Sequence, residues 1–209
     1  MADQNNIRNP LKIYMGGPWA LIIMALVSIA GLLVMLAQRS RRRANAPEPV
    51  ETLDLEKYAG TWYEIARIPT PQNLNCIGNI SEYTLQGSRL RVRNTCNIGT
   101  FDGPQRVAKG VIWQVDPNRA GRMKVRLGMN IAADYWVADL AEDYTWSVVL
   151  GPDRMRLRIF YREPQMPESL YQLILRNLRD RNVNTAELVP TPQPDGAAEI
   201  VMEINRDEE

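Results

Sequence analysis

The stretch Gly60-Thr61-Trp62-Tyr63-Glu64-Ile65-Ala66-Arg67 decides the fold. Aromatic and β-branched residues dominate it, and Trp62, Glu64 and Ala66 fall on one side of a period-two alternation, the pattern of a β-strand. Runs of similar length follow at 77–85, 89–96, 105–115, 122–127, 134–140, 144–150 and 155–162, the first itself covering 61–68. Turn chemistry separates them, as in Gln86-Gly87-Ser88, Asp102-Gly103-Pro104, Asp116-Pro117-Asn118 and Ala141-Glu142-Asp143. Links this short imply antiparallel neighbours. Eight such strands close into a barrel with room for one small ligand, although strand spacing alone also fits a sandwich. After the eighth strand, Pro167-Glu168 opens a helix in which Leu170, Leu173, Ile174 and Leu178 recur at helical spacing. Beyond Pro190 the chain is Pro-rich, and 194–209 reads as an acidic tail.

The front of the chain is different in kind. No charge occurs from Ile13 to Gln38, and Trp19 to Ala37 is almost wholly apolar, close to the ~20 residues a bilayer core requires. This predicts an N-terminal segment at 1–17 and a transmembrane helix at 18–38, with Pro18 in its first position. A basic, Pro-rich linker at 39–52 follows. A cleaved signal peptide fits poorly, because Arg39, Arg41, Arg42 and Arg43 directly follow the apolar run. No Cys lies there to carry a lipid. By the positive-inside rule, these four arginines against Arg8 and Lys12 would leave the remaining chain in the cytoplasm.

Composition removes several functions. Twenty-five basic residues against 24 acidic ones give no basic face of the kind nucleic acid requires. With no His and two Cys, the Ser/His and Cys/His nucleophile pairs are excluded, and so are zinc sites. No catalytic residue, metal ligand or cofactor site can be named. Without the membrane segment and its flanks, roughly 150 residues remain, enough for one domain with its own core.

Three segments carry a family resemblance. Gly60-Thr61-Trp62 with Tyr63 to Arg67 resembles the Gly-x-Trp signature of the lipocalins, in the form found in bacterial lipocalins. Asp134-Tyr135-Trp136-Val137-Ala138-Asp139-Leu140, with Asp143-Tyr144 and Gly151-Pro152-Asp153-Arg154, is similar to that family's sixth and seventh strands. Arg162, in Ile159-Phe160-Tyr161-Arg162, matches its late-strand arginine. The resemblance runs from about Leu53 to Gln193. It implies an all-β, eight-stranded antiparallel up-and-down barrel with a C-terminal α-helix, here behind a transmembrane helix where bacterial relatives usually carry a lipoprotein signal.

In that frame Gly60, Trp62 and Arg162 are fold-signature residues: Trp62 plugs the closed end, Arg162 lays its guanidinium over the indole, and Gly60 lets the chain pass beneath. Period two then points Glu64 and Ala66 inward on the first strand, with Phe160, Arg158 and Arg156 on the eighth. Met155, Leu157, Ile159 and Tyr161 are left for the helix to cover. Arg156 and Arg158 would face the mouth and could capture a carboxylate or phosphate; Arg158 could equally pair with Glu64. Asn94 on the third strand and Trp146 on the seventh, with Tyr144 and Val148, are candidates for the cavity wall, or for ordinary core. The rows Arg89, Arg91, Arg93 and Arg122, Lys124, Arg126 should face solvent.

Cys76 and Cys96 lie ten residues either side of Gln86, so the hairpin should oppose them and permit a disulfide, a pairing similar to that of many bacterial lipocalins. A disulfide implies an oxidising compartment, placing the domain on the periplasmic side, against the arginine cluster. The expected function is a membrane-tethered lipocalin binding a fatty acid or lysophospholipid for lipid storage, transport or membrane maintenance, with no reaction. The alternative is an accessory subunit of a larger membrane protein complex.

Overall fold

Strands join in the order of the chain and then close on themselves. The computed structural model describes residues 18–44, 48–129, 131–152 and 156–194; the segment 1–17, Met155 and the tail from residue 195 lie outside these. The chain divides into two compact units, residues 1–41 and 42–209.

The first unit holds most of α1 (Pro18–Ala44). Leu21–Gln38 is exposed throughout its length and is long and apolar enough to cross a membrane. The helix runs on through the arginine cluster instead of stopping at Gln38.

The second unit is the barrel. Its elements are α2 (Leu55–Tyr58), β1 (Gly60–Arg67), β2 (Cys76–Gln86), β3 (Arg89–Ile98), β4 (Gln105–Gln114), β5 (Arg122–Leu127), β6 (Ala133–Leu140), β7 (Trp146–Leu150), β8 (Leu157–Tyr161), α3 (Glu168–Asp180) and β9 (Val189–Pro190). Each of β2 to β7 pairs antiparallel with the next, and β1 pairs with both β8 and β2, closing the cylinder. The eight-strand barrel and closing helix are those the sequence predicts. Tyr144 stands outside β7 because it ends the preceding turn with φ of 60°.

Closure is split between two partners. β1 pairs directly with β2 only over Gly60–Tyr63. From Ala66 onward its edge is taken by β9, and the chain beyond reaches β2, where Gly78 N–H donates to Pro192 O at 2.7 Å and Gln193 Nε2 donates to Asn79 O at 3.1 Å. The Pro-rich segment 189–193 is therefore a wedge in the barrel wall.

Apolar side chains form two layers. Inside lie Trp62, Leu90, Val92, Ile112, Met123, Val137 and Phe160 with Tyr58, Tyr83 and Tyr135. Outside, β1 and β6–β8 present Ile65, Ala66, Ala138, Val148, Leu157 and Ile159 to α3. The helix answers with Tyr171, Ile174 and Leu178. Leu173, expected in that stripe, points to solvent at 43% exposure, and Tyr171 takes its place one turn before Ile174 and two before Leu178.

Candidate ligand-binding cavity

The closed end is built first. Asp54 caps the single turn of α2, its carboxylate accepting from the Glu56 and Lys57 amides at 2.9 and 3.3 Å. That turn delivers Tyr58 into the base of the barrel, where its carbonyl accepts Trp62 Nε1–H at 2.8 Å. Arg162 seals the base from β8. Its Cζ lies 3.8 Å from the Trp62 ring centroid, and it donates to the carbonyls of Tyr144, Thr61 and Lys57 at 3.1, 3.0 and 2.7 Å. Gly60 has φ of 98°, and a Cβ there would stand 3.1 Å from Arg162 Nη1. The three signature residues thus form one contact set.

Above the base lies a row of hydroxyls that sequence reasoning missed. Tyr135 Oη bonds Tyr83 Oη at 2.8 Å and Tyr58 Oη at 3.1 Å, and Tyr58 Oη reaches Ser147 Oγ at 3.3 Å. Burial raises the pKa of all three phenols, Tyr135 most clearly, so they are neutral hydrogen-bonding groups at ordinary pH. The signal available was Tyr135 itself, an aromatic with a polar tip on a strand otherwise facing the core.

The cavity opens above this row. It measures about 230 Å³ and is lined by Val92, Ile112, Val125, Leu127, Ala133 and Val149, with Tyr83, Tyr135, Asn94, Asp134, Arg156 and Arg158 supplying polar atoms. Ile131 and Gly151 stand at the rim, on the β5–β6 and β7–β8 loops. Arg156, Arg158 and Asn94 are thus among the lining residues.

Glu64 points inward but is enclosed. It is 1% exposed; Oε1 accepts from Arg67 Nη1 at 2.7 Å, Asn79 Nδ2 at 3.0 Å and Thr191 Oγ1 at 3.0 Å, while Oε2 faces Arg158 Nε at 3.4 Å. Arg67 completes the cluster by donating to the carbonyls of Asn73 and Cys76 at 2.8 and 2.6 Å. This is the Arg158–Glu64 ion pair that the strand pairing allowed, with Arg67 added.

Three residues expected to face inward, Ala66, Trp146 and Val148, face the other way. A bulge between Glu64 and Ala66 puts Ile65 and Ala66 together in the outer layer and returns Arg67 to the interior. Trp146 also packs on the outer layer, because β7 pairs Val148 with the outward Ile159 and Ser147 with the inward Phe160. Ser147 and Val149 are the wall residues, and Val148 belongs to the helix side.

Cys76 and Cys96 form a disulfide with Cα atoms 5.4 Å apart. They are diagonal neighbours instead of directly opposed. Cys76 stands across from Ile98, because the hairpin turns at Gly87-Ser88 and a bulge between Ile77 and Ile80 shifts the register. The basic rows on β3 and β5 face outward as expected, Arg93 pairing with Glu82 at 2.5 Å and Lys124 with Asp134 at 3.5 Å.

Comparison with known proteins agrees with this geometry. Residues 53–193 match the family model described as a lipocalin-like domain. Temperature-induced lipocalin-1 of Arabidopsis thaliana is 28% identical over 158 residues, covering 71% of this chain and 83% of the relative. The outer membrane lipoprotein Blc of Vibrio cholerae is 25% identical over 154 residues, covering 70% and 86%. Among solved structures, insecticyanin from the tobacco hornworm Manduca sexta superposes with a TM-score of 0.59 at 16% identity, covering 73% of this chain and 87% of that one.

Proposed function

The chain belongs to the lipocalin family, and from that premise we propose that it is a membrane-tethered binding protein whose barrel takes up one amphipathic molecule with a single acyl chain, a fatty acid or lysophospholipid. The observation that carries this is the cavity itself: apolar walls over a neutral floor, with Arg156 and Arg158 on the strand that leads to the rim. In this reading the cavity of about 230 Å³ takes up one acyl chain. A carboxylate or phosphate at the arginines gains charge-assisted hydrogen bonds while the tail leaves water. Binding, storage or transfer of the molecule is the whole activity, and no chemical step is assigned to any residue.

The helix Leu21–Gln38 serves in this reading as a single-pass tether, with 39–52 joining it to the lipocalin domain at 53–193. The Cys76–Cys96 bridge favours an oxidising compartment over the cytoplasmic placement favoured by Arg39–Arg43, so the barrel is assigned to the periplasmic side of a bacterial membrane. The name of the Vibrio relative, an outer membrane lipoprotein, supports a site of action at a membrane.

Native mass spectrometry of the full chain, extracted in mild detergent, tests the reading. A stoichiometric fatty acid or lysolipid is expected, with occupancy lost in the Arg156→Ala/Arg158→Ala double variant. A barrel that arrives empty and attached to other membrane proteins would overturn it in favour of a scaffolding subunit.

A further inference from the structure

Charge balances over the whole chain but not on the outer wall of the barrel. There a hollow of about 540 Å³ lies across β2–β5, bordered by Arg91, Arg93, Lys109 and Arg126 with one carboxylate, Glu82. Strand pairing fixes this crowding. Arg93 stands directly across from Lys109, and Arg91 and Arg126 flank Val111 from either side. Glu82 is taken by Arg93, while Arg91, Lys109 and Arg126 are exposed and pair with no carboxylate among the described residues. Like charges set opposite one another in a sheet are destabilising, and an external anion relieves them. An apolar strip separates the basic rows. Val111 and Trp113 of β4 lie between Arg91 and Arg89 of β3 on one side and Arg126 and Lys124 of β5 on the other. The Arg89 guanidinium reaches over the Trp113 ring, 6.0 Å from its centroid.

We propose that the outer face of β3–β5 seats the barrel on the anionic phospholipid headgroups of the membrane that holds its tether. The inference rests on the tethered reading, which keeps a bilayer beside the domain. Cationic rows on either side of an apolar strip match the boundary between headgroups and acyl chains. The aliphatic stems of arginine and lysine lie along apolar surface while their charged ends reach phosphates, and each cation held near an anionic surface adds to the attraction. A free phosphate would engage the cations and leave Val111 and Trp113 in water. The wall is also shared with the ligand site. Val92 borders both the hollow and the cavity, and Gly128, at the edge of the hollow, begins the loop that brings Ile131 to the rim. A barrel seated on this face lies on its side with its mouth beside the bilayer, where a single-chain amphiphile can be exchanged.

The test is lysine acetylation of the full chain in nanodiscs, read by peptide mass spectrometry. One set of discs is phosphatidylcholine, the other equal parts phosphatidylcholine and phosphatidylglycerol, and Lys57 at the barrel base is the internal reference. Relative to Lys57, Lys109 is expected to react roughly threefold to tenfold more slowly in the anionic discs. That protection should vanish at 1 M salt, where the screening length is about 3 Å. In Arg91→Gln/Arg126→Gln, two exposed substitutions that leave Lys109 in place, it should fall towards the phosphatidylcholine value. Equal rates in the two discs would overturn the proposal and leave the tether intact. Protection that survives the double substitution would reflect mere nearness to the bilayer, and also overturns it. Equal protection of Lys109 in both discs and in dodecyl maltoside micelles would assign the face to the chain's own tail 194–209, which carries six acidic side chains, in place of lipid. If the chain does not incorporate into discs at all, the tethered reading fails first and takes this one with it.

Discussion

Arg162 lies over Trp62, its Cζ 3.8 Å from the ring centroid, and the same guanidinium ties three backbone carbonyls of the barrel base together. The contact joins the first strand to the segment just after the last, so it closes the cylinder at the end opposite the cavity mouth. Lysine keeps the charge but loses the planar fork that stacks and donates in three directions. Arg162→Lys is expected to destabilise the domain by about 1–3 kcal/mol, seen as a lower thermal midpoint. Gly60→Ala should also destabilise, because φ of 98° is unfavourable to any residue with a Cβ and the added methyl presses on Arg162 Nη1. An unchanged midpoint in Arg162→Lys would reduce the stack to decoration.

Glu64 holds the barrel wall together as well as its interior. Its Oε1 receives Arg67 and Thr191, and Gln193 Nε2 donates to the Glu64 carbonyl at 2.9 Å, so the carboxylate fastens the wedge 189–193 between β1 and β2. Glu64→Leu strands the Arg67 guanidinium in the interior without its counter-charge, at an expected cost of about 3–5 kcal/mol, read as a lower urea midpoint. Glu64→Gln keeps hydrogen bonding and should cost less. Limited proteolysis of both variants should cut near 185–194 sooner than in the wild type. A wedge that stays protected in Glu64→Leu would show that backbone pairing alone retains it.

The Cys76–Cys96 bridge spans 20 residues of sequence and restricts the unfolded hairpin. Removing it as Cys76→Ala/Cys96→Ala is expected to cost about 3 kcal/mol in the chain-entropy model, in a protein that still binds its ligand, since neither sulfur lines the cavity. Protein alkylated in intact cells, before lysis, should take no label until reduced. Labelling of both cysteines without reduction would contradict the oxidised pair and the compartment assigned from it.

The barrel and its signature were legible because period-two patterning and turn residues are local properties of the chain. Gly60, Trp62 and Arg162 could be placed together for the same reason: their strands are neighbours in any up-and-down closure. The misplaced wall residues have two physical origins. At Ile65-Ala66 the chain bulges, and two adjacent apolar residues where alternation predicts one are the only trace of it in the sequence. At Trp146 the parity of β7 is set by its pairing with β8, a non-local property that the residue's own bulk does not reveal. The partners of Glu64 at Thr191 and Gln193 were the least accessible, because a two-residue strand in a Pro-rich stretch has no period at all.

The tyrosine row gives the domain an alkaline limit. Tyr58, Tyr83 and Tyr135 are buried, and desolvation raises each of their pKa values; burial also pushes Tyr171, on the helix side, up to about 12. An unfolded chain releases these protons near the ordinary tyrosine value of about 10. Above that pH the unfolded state binds fewer protons than the folded one, so stability, intact below about pH 10, falls as pH rises through the interval up to the folded values. Phenolate absorbance near 295 nm from the buried tyrosines should therefore appear together with loss of the near-ultraviolet circular dichroism. Tyr135→Phe removes the central hydroxyl and with it the hydrogen-bonded bridge between the Tyr83 and Tyr58 hydroxyls. That variant should lose stability at neutral pH, yet its stability should decline less steeply above pH 10, because one fewer buried phenol resists ionisation. A single smooth titration of all eight tyrosines without unfolding would mean that the row is open to solvent and cannot form the floor of a dry cavity.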